Sequence, residues 1–260
     1  MCYSASTVEF EPFHVGEFRL TSVLGRGAFS VVYDAVHVAS GIPVAVKVVR
    51  VGGEVARVQA AFRDEVRAVA RLDHPGVVLV FESGTVDDAE AAASDGRVEA
   101  GSPWLAMERA ARGTLESLGD PLSWKDIKGI LAALLAALAH AHARGVLHRD
   151  IKPANVLLGS PDDFRPAVRI ADFGLAFALE LGAPGQRGCG TPAFMAPEQV
   201  DGRWRAFSPG TDLYGVGCIA WALVTGAPPF GGDTVDGILA QQRQAPLPPL
   251  RPRLGVPVGL

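Results

Sequence analysis

Residues 148–155 read HRDIKPAN, and this stretch decides how the rest of the chain is interpreted. Its eight residues bring together the carboxylate of Asp150, the amine of Lys152 and the amide of Asn155, while Pro153 stiffens the turn between them. A second acidic motif, Asp-Phe-Gly at 172–174, begins seventeen residues after Asn155. Because so many chemically active groups lie so close in sequence, we expect this part of the chain to form its functional centre.

The composition is that of a globular chain with a substantial core. With 260 residues, of which 48% are apolar, one or two folded units are possible. The net charge of −4 shows no basic excess, so we expect no nucleic-acid binding. The three cysteines are odd in number and far apart, which predicts no disulfide framework and a reducing, cytoplasmic location.

Two uncharged stretches could suggest a membrane protein. Residues 129–143 are only fifteen in number, and residues 213–232 are interrupted by Gly226 and by the prolines at 228 and 229. A helix that spans a bilayer needs roughly 20 apolar residues. We therefore expect no membrane segment within these residues and interpret both stretches as buried helices.

A glycine-rich stretch at 25–33 follows an alternating pattern that is typical of a strand, after a lead-in over residues 1–15. Gly25 and Gly27 permit a tight turn whose backbone N–H groups can approach phosphate oxygens. An ordinary β-hairpin can have the same two glycines, so this stretch alone does not establish a nucleotide site.

A lysine and a glutamate occupy positions that are costly for charged residues. Lys47 lies in the middle of the β-branched strand predicted over 43–49, and Glu65 shares the face of an apolar stripe on the helix predicted over 55–72. An edge-strand lysine and a solvated rim glutamate are the alternatives. We expect instead that the two side chains form an ion pair.

The remaining segments predict a second strand group and several helices. Residues 77–82 and 104–107 have strand patterns, and we expect the acidic stretch 84–103 between them to be a mobile insertion, too polar to pack. Ser123 starts a helix that runs to about residue 143 and is apolar nearly all round, which predicts a buried helix. Further strands are expected at 156–158 and 168–170, and a further helix at 234–244.

Together these motifs resemble those of the eukaryotic-like serine/threonine protein kinases of bacterial type. The resemblance covers about residues 16–245 and includes TPAFMAPE at 191–198, a close match to a kinase signature. A lysine two residues after the catalytic aspartate, here Lys152 after Asp150, is typical of the catalytic loop of serine/threonine kinases. The required parts occur in the expected order: glycine loop, Lys47, Glu65, Asp150, Lys152, Asn155, Asp172.

The resemblance implies an α+β, bilobal protein-kinase fold. An N-terminal lobe at 16–107 would hold an antiparallel sheet plus one helix, a hinge would follow at 108–113, and a mainly helical lobe would occupy 114–260. The family adds further helices after residue 245, with an arginine that pairs the glutamate matching Glu198. This arginine has no evident counterpart, so we expect the second lobe to be incomplete at that end.

The resemblance also implies ATP-dependent transfer of a phosphoryl group to Ser or Thr hydroxyls of protein substrates, in signalling. Asp150 would be the catalytic base, Asn155 and Asp172 would hold Mg²⁺, and Lys47, paired with Glu65, would hold the ATP phosphates. Asp212 would anchor the catalytic loop. The residues expected to contact the nucleotide are Gly25, Arg26, Gly27, Ala28, Phe29, Ser30, Val32, Ala45, Lys47, Met107, Glu108, Ala110, Asn155, Leu157 and Asp172.

Two other functions stay open at this point. A pseudokinase would bind nucleotide or act as a scaffold without turnover, which the incomplete lobe favours and the intact catalytic residues oppose. A small-molecule kinase of the same superfamily would lack the segment at 191–198.

Regulation by phosphorylation is not expected here. Residues 175–190, between the two family motifs, contain no Ser, Thr or Tyr, and Glu180 could supply a fixed negative charge for Arg149. In the family, the hydroxyl of the threonine matching Thr191 bonds to the residues matching Asp150 and Lys152, so a phosphate there would repel Asp150.

Overall fold

The computed structural model describes residues 10–27, 29–52, 55–161, 163, 165, 167–173 and 191–253, except for the side chain of Glu65. The described residues form two compact units. Unit 1 comprises those of 1–60 and 79–109, and unit 2 those of 61–78 and 110–260. The predicted segment 175–190, with Cys189, lies outside the described residues, as does Ala28.

Unit 1 is built on a six-stranded antiparallel sheet with the order β1-β2-β3-β4-β6-β5. The predicted strand at 77–82 is displaced: it begins at Val80, because Val77 and Val78 pair with Ile170 in unit 2 instead. The six strands are β1 Phe13–Val15, β2 Phe18–Arg26, β3 Ser30–His37, β4 Pro43–Val49, β5 Val80–Thr85 and β6 Pro103–Glu108.

Alternation along these strands buries one apolar face, and the large ring of Trp104 fills the space over two glycines. A Cβ atom at Gly84 would lie 2.5 Å from the Trp104 ring, and one at Gly16 would lie 2.7 Å from it. Both positions therefore require glycine for the indole to pack against the backbone.

The acidic stretch 84–103 is ordered, so the prediction of a mobile insertion was wrong. It contains helix α2, Asp88–Ala93, which begins with a capping box. The Asp87 carboxylate accepts the N–H of Glu90 at 2.7 Å, and Glu90 accepts the N–H of Asp87 at 2.8 Å. Glu90 also accepts the N–H of Gly16 at 2.6 Å, which ties α2 to the turn between β1 and β2.

Two apolar residues and one arginine of this stretch join the core of unit 1. Val86 and Val98 are buried in the apolar cluster of the sheet. The Arg97 guanidinium lies 4.4 Å from the ring centroid of Phe13, within the range of a cation–π contact. A few well-placed side chains therefore order a segment whose average composition is polar.

Helix α1 runs over Val55–Val69, three residues shorter than predicted. Phe62 from its apolar stripe is buried, whereas Val66 and Val69 are half-buried. The predicted stripe is therefore present.

Unit 2 is mainly helical and carries the small sheet predicted for it. Strands β7 and β8 pair antiparallel, with Val156 opposite Ile170. The helices are α3 Trp124–His142, α4 Pro197–Val200, α5 Pro209–Thr225 and α6 Val235–Gln244, and the strands are β7 Val156–Leu158 and β8 Val168–Ile170. The α+β class is confirmed, as are the strand pair and the helix predicted at 234–244.

Helix α3 starts as predicted, with the Ser123 hydroxyl accepting the N–H of Asp126, but it is not buried all round. One face joins the core through Leu134 and Leu138, whereas Leu135 is exposed. No helix in the described part of the chain is long and apolar enough to cross a membrane.

Candidate active site

The stretch 148–155 places its three functional side chains in contact within unit 2. Pro153–Asn155 forms a single 3-10 turn that brings Asn155 back towards Asp150. Oδ2 of Asp150 lies 2.7 Å from Nζ of Lys152 and 3.0 Å from Nδ2 of Asn155. The same amide nitrogen also donates to the Asp150 carbonyl at 2.8 Å. The grouping predicted from sequence is therefore present.

Asp212, near the start of α5, anchors the backbone of this loop. Its Oδ2 accepts the N–H of His148 at 2.9 Å and Nε2–H of His142 at 2.7 Å, and its Oδ1 accepts the N–H of Arg149 at 2.7 Å. Arg149 has a φ of 68°, a strained conformation for a side chain of this size. The two backbone bonds hold the loop in this conformation, as expected from the resemblance.

A glycine lets α5 approach the loop this closely. A Cβ atom at Gly215 would lie 2.9 Å from the carbonyl oxygen of Ile151. Any side chain there would push the helix away from the loop and lengthen the bonds that Asp212 makes. Gly215 is therefore a functional position that the sequence analysis missed.

His148 links the catalytic loop to the second acidic motif. Its imidazole is fully buried, accepts the N–H of Asp150 at Nδ1 (3.2 Å) and donates from Nε2 to the carbonyl of Ala171 (2.8 Å). These two partners assign the proton to Nε2. The ring also packs on Phe173, with the centroids 4.6 Å apart.

Asp172 is next in sequence to Ala171, which is hydrogen-bonded to the catalytic loop. The N–H of Ala171 donates to the carbonyl of Asn155 at 2.9 Å, and Asp172 itself has a φ of 62°. This left-handed conformation is uncommon for residues other than glycine and clusters at functional sites.

Asn155 and Asp172 both carry side-chain oxygens of the kind that bind divalent cations. Nδ2 of Asn155 is bonded to Asp150, whereas its Oδ1 accepts no hydrogen bond from the described residues. The Asp172 carboxylate supplies a second hard oxygen donor. Amide and carboxylate oxygens are ligands that suit Mg²⁺, which keeps its other positions for water and phosphate. The residues present therefore fit the metal that the resemblance implies.

The segment 191–199 is held by polar partners that are distant in sequence. Gln199 donates to the Arg149 carbonyl at 2.6 Å, and Glu198 accepts the Thr211 hydroxyl at 2.6 Å. No arginine among the described residues lies within ion-pair distance of Glu198. Sequence patterns carry no signal for these partners, since Gln and Thr are common on helix surfaces.

A second contact reaches the same segment from α6. Buried Gln242 donates to the Pro192 carbonyl at 3.1 Å and accepts a hydrogen bond from the Tyr214 hydroxyl. Burial, with smaller contributions from the neighbouring Cys218 and Glu198, raises the pKa of Tyr214 to about 12. The phenol is therefore a stable donor at neutral pH.

One contact that the resemblance implied is absent. The structure gives no hydrogen bond from the Thr191 hydroxyl to Asp150 or Lys152, and Lys152 instead binds Asp150 directly. Within the described residues, Thr191 is half-buried at the start of the 3-10 turn Pro192–Phe194. The expectation for this hydroxyl was therefore wrong for the conformation described.

Unit 1 carries the glycine loop as the connection between β2 and β3. The strands end at Arg26 and begin again at Ser30, and the turn is closed by the N–H of Gly27, which donates to the Ser30 carbonyl at 2.8 Å. A Cβ atom at Gly25 would meet no atom within 4 Å, so the loop surface there is open to an approaching group. Phe29 lies between Gly27 and β3.

Four residues that are predicted to contact the nucleotide lie in pairs on neighbouring strands. Lys47 is opposite Val32 on β3, and Ala45 is opposite Met107 on β6. Lys47, Ala45 and Met107 are buried within a central strand pair, so Lys47 is not an edge residue that faces solvent. The ion pair predicted for it stays a prediction, because the side chain of Glu65 lies outside the described residues.

Glu108 ends β6 and serves the sheet through its side chain. Its Oε1 accepts the N–H of Leu79 at 2.7 Å, and its own N–H donates to the Leu79 carbonyl at 2.9 Å. The Glu108 side chain therefore stabilises the sheet. This agrees with the expectation that hinge side chains reveal little about how the nucleotide binds, because the adenine would contact backbone groups there. In unit 2, Ala110 and Leu157 are half-buried.

Comparison with known proteins places the chain in a family. The sequence model of the "Protein kinase domain" family matches residues 18–249. A probable serine/threonine-protein kinase PknB of Bifidobacterium longum is 32% identical over 236 residues, which is 87% of this chain and 32% of that protein. Serine/threonine-protein kinase PknL of Mycobacterium tuberculosis is 36% identical over 239 residues, 89% of this chain and 55% of that protein.

A third relative is the DNA damage-responsive serine/threonine-protein kinase RqkA of Deinococcus radiodurans. It is 36% identical over 243 residues, which is 90% of this chain and 33% of that protein. The chain thus spans from 32% to 55% of the length of these relatives. With the family match and the geometry above, the chain belongs to the protein kinase domain family, and the relatives to which it is similar are bacterial serine/threonine-protein kinases.

Proposed function

We propose that the chain transfers the γ-phosphoryl group of ATP to Ser or Thr hydroxyls of protein substrates. The observation that carries this proposal is the Asp150 carboxylate, whose Oδ2 is held by Lys152 and Asn155. No described residue donates to Oδ1, which leaves an oriented acceptor for a substrate hydroxyl.

In the proposed reaction, Oδ1 of Asp150 accepts the proton of the substrate hydroxyl. The hydroxyl oxygen then forms a bond to the γ-phosphorus as the bond from that phosphorus to the β–γ bridging oxygen breaks, and ADP leaves. The Lys152 ammonium, 2.7 Å from Asp150, compensates negative charge beside the reacting oxygens.

Asn155 and Asp172 are the proposed ligands of Mg²⁺. When bound, the ion would supply positive charge to the ATP phosphates. The chain's own part is to keep Oδ1 of Asn155 turned away from Asp150, which it does through the two bonds that Nδ2 makes.

The residues of unit 1 are proposed to bind the nucleotide. Backbone N–H groups of the glycine loop would contact phosphate oxygens, Lys47 would bind the phosphates with Glu65 as its charge partner, and Ala45 with Met107 would border the adenine. The lobe boundaries 16–107 and 114–260, with the hinge at 108–113, are part of the same proposal. The catalytic loop, with Asp150, Lys152 and Asn155 in contact, argues against a pseudokinase.

A transfer assay tests the proposal. The purified chain is incubated with Mg²⁺, ATP labelled at the γ-phosphate and dephosphorylated casein, and the labelled amino acids are identified after hydrolysis. We expect label on serine and threonine, lost in Lys47→Met and kept in Lys125→Met, a matched change at an exposed lysine. Absence of transfer, or label on tyrosine alone, would contradict the proposal.

A further inference from the structure

Residues 245–253, APLPPLRPR, form a feature that the proposed function does not use. They follow α6 on unit 2 and are exposed throughout, and we call them the proline-rich strap. Among the described residues, no backbone hydrogen bond involves residues 246–252. An exposed backbone without internal hydrogen bonds is the condition of a polyproline II helix.

The sequence of the strap restricts it to that conformation. Prolines at 246, 248, 249 and 252 fix φ, and the residues before them are pushed to extended conformations, so only Leu250 and Arg253 carry neither restriction. Ala245 has φ −74° and ψ 139°, close to the ideal polyproline II values of about −75° and +145°. The strap is therefore preorganised.

Both ends of the strap are fastened to unit 2. At one end the N–H of Ala245 donates to the Gln241 carbonyl at 2.9 Å, and at the other the N–H of Arg253 donates to the Val224 carbonyl at 2.8 Å. Nε of Arg253 also donates to the Thr225 carbonyl at 3.1 Å, so this arginine caps the C-terminal end of α5.

A glycine makes room for the second fastening. Gly226 ends α5 with a φ of 90°, and a Cβ atom there would lie 1.7 Å from a terminal nitrogen of the Arg253 guanidinium. An alanine at this position would both strain the backbone and displace the arginine.

A polyproline II helix has three residues per turn, so residues three apart in the strap lie along the same edge of the helix. Pro246, Pro249 and Pro252 share one edge, while Leu247 and Leu250, which are 67% and 41% exposed, share another with Arg253. Arg251 falls between these edges, exposed and without an ion pair among the described residues. Proline at 246 and 249 with arginine at 251 forms the spacing P-x-x-P-x-R.

We propose that the proline-rich strap is a docking ligand for a protein module that recognises polyproline II helices. Such modules have an aromatic-lined groove that takes P-x-x-P segments. An acidic side chain at one end of the groove would pair with Arg251. Because the strap is fixed at both ends before binding, less conformational entropy is lost when the module binds. This inference does not depend on the phosphoryl-transfer proposal.

Binding to isolated modules tests the inference. The probes are three purified domains, one SH3, one WW and one EVH1, each titrated by calorimetry into the full chain of residues 1–260. We expect at least one domain to bind. Pro249→Ala and Arg251→Glu should each weaken that binding by about tenfold or more, because they remove a groove contact and reverse the pairing charge.

Matched changes outside the strap serve as controls. Pro121→Ala and Arg19→Glu, at exposed positions of the two units, should leave the affinity unchanged. These two variants, like Pro249→Ala and Arg251→Glu, should keep the wild-type Tm and transfer activity. Gly226→Ala should weaken binding less, because it frees one end only; it is the one variant for which a lower Tm is expected, since its backbone is strained at a φ of 90°. Failure of all three domains to bind, or equal weakening by the control changes, would overturn the inference. So would binding that Pro249→Ala and Arg251→Glu leave unchanged.

Discussion

The two units position their site residues by different physical means. In unit 2, the catalytic loop is held by buried polar groups: Asp212 accepts three hydrogen bonds, and His148 joins the loop to Ala171. In unit 1, Lys47 and its neighbours lie on strands whose other face is an apolar core.

The difference matters because polar networks are directional. A hydrogen bond loses its value when its geometry changes by tens of degrees, whereas an apolar core tolerates changes that conserve volume. We therefore expect changes in the network of unit 2 to reduce both stability and turnover, and changes in the core of unit 1 to reduce stability with little effect on turnover of the folded protein.

The largest effect on stability is expected for Asp212→Ala. Removing this carboxylate leaves His142 and the N–H groups of His148 and Arg149 without their buried acceptor, which should lower the free energy of unfolding by about 3 to 5 kcal/mol. Displacement of the loop should reduce turnover by about 100-fold. Urea unfolding and the transfer assay measure the two effects. Asp120→Ala, at an exposed site, is the control, and wild-type turnover in Asp212→Ala would contradict the account.

Leu20→Ala provides the corresponding test in unit 1. Leu20 is fully buried in β2, so its truncation should cost about 2 to 5 kcal/mol through lost burial and a residual cavity. The turnover of the folded fraction should stay within about twofold of wild type. Ile42→Ala, at a residue that is 53% exposed, should cost no more than about 0.5 kcal/mol. A loss of turnover as large as that of Asp212→Ala would remove the distinction between the units.

A polar contact in unit 1 should have an intermediate effect. Glu108→Ala leaves the N–H of Leu79 without its side-chain acceptor and should lower stability by about 1 to 3 kcal/mol. ATP affinity should change little, since the Glu108 side chain accepts the N–H of Leu79 and the adenine is expected to contact backbone groups. Glu82→Ala, at an exposed position of β5, is the control. A large loss of ATP affinity at unchanged stability would show that Glu108 contacts the nucleotide.

A smaller effect is expected from pH. Desolvation, followed by the charge of Arg144 and the neighbouring His74, lowers the pKa of His140. The unfolded chain then binds a proton at a pH where folded His140 stays neutral, so stability falls as pH drops below about 6.5. His140→Gln should show a shallower decrease of Tm between pH 7 and pH 5. An unchanged slope would count against this contribution.

No effect is expected from phosphatase treatment. Residues 175–190 contain no hydroxyl side chain, and they lie outside the described residues, so this prediction comes from sequence alone. Turnover should stay within about twofold after a broad phosphatase removes all phosphate. A large loss that maps to a phosphate on Thr191 would contradict it.

The motifs of the catalytic loop could be predicted because their chemistry is local. Asp150, Lys152 and Asn155 lie within six residues of sequence, and such a short stretch suffices to bring them together. Most strands of unit 1 were also predictable, since alternation reports which face is buried. The exception is β1, Phe13–Val15, which lies in the stretch 1–15 that was interpreted as a lead-in.

Predictions failed where the structure depends on residues distant in sequence, or where the average composition of a stretch conceals a few decisive side chains. The stretch 84–103 is polar on average, yet two valines and one capping box order it. Gln199 and Gln242 reach their partners across about 50 residues, which no local pattern reveals. The sequence of helix α3 is apolar nearly all round because it contains many alanines. An alanine side chain loses little free energy when it is exposed to solvent, so alanines occur on both faces of the helix. The apolar pattern therefore did not show which face is buried.

The most direct test of the account is Asp150→Asn, measured as turnover and, separately, as equilibrium affinity for ATP. Asparagine keeps the size of the side chain but accepts a proton poorly, so kcat should fall by roughly 10² to 10⁴ while ATP affinity stays within about twofold. Asp120→Asn, the same change at an exposed residue, should leave both values unchanged. Turnover near the wild-type value in Asp150→Asn would contradict the central claim that Asp150 is the catalytic base.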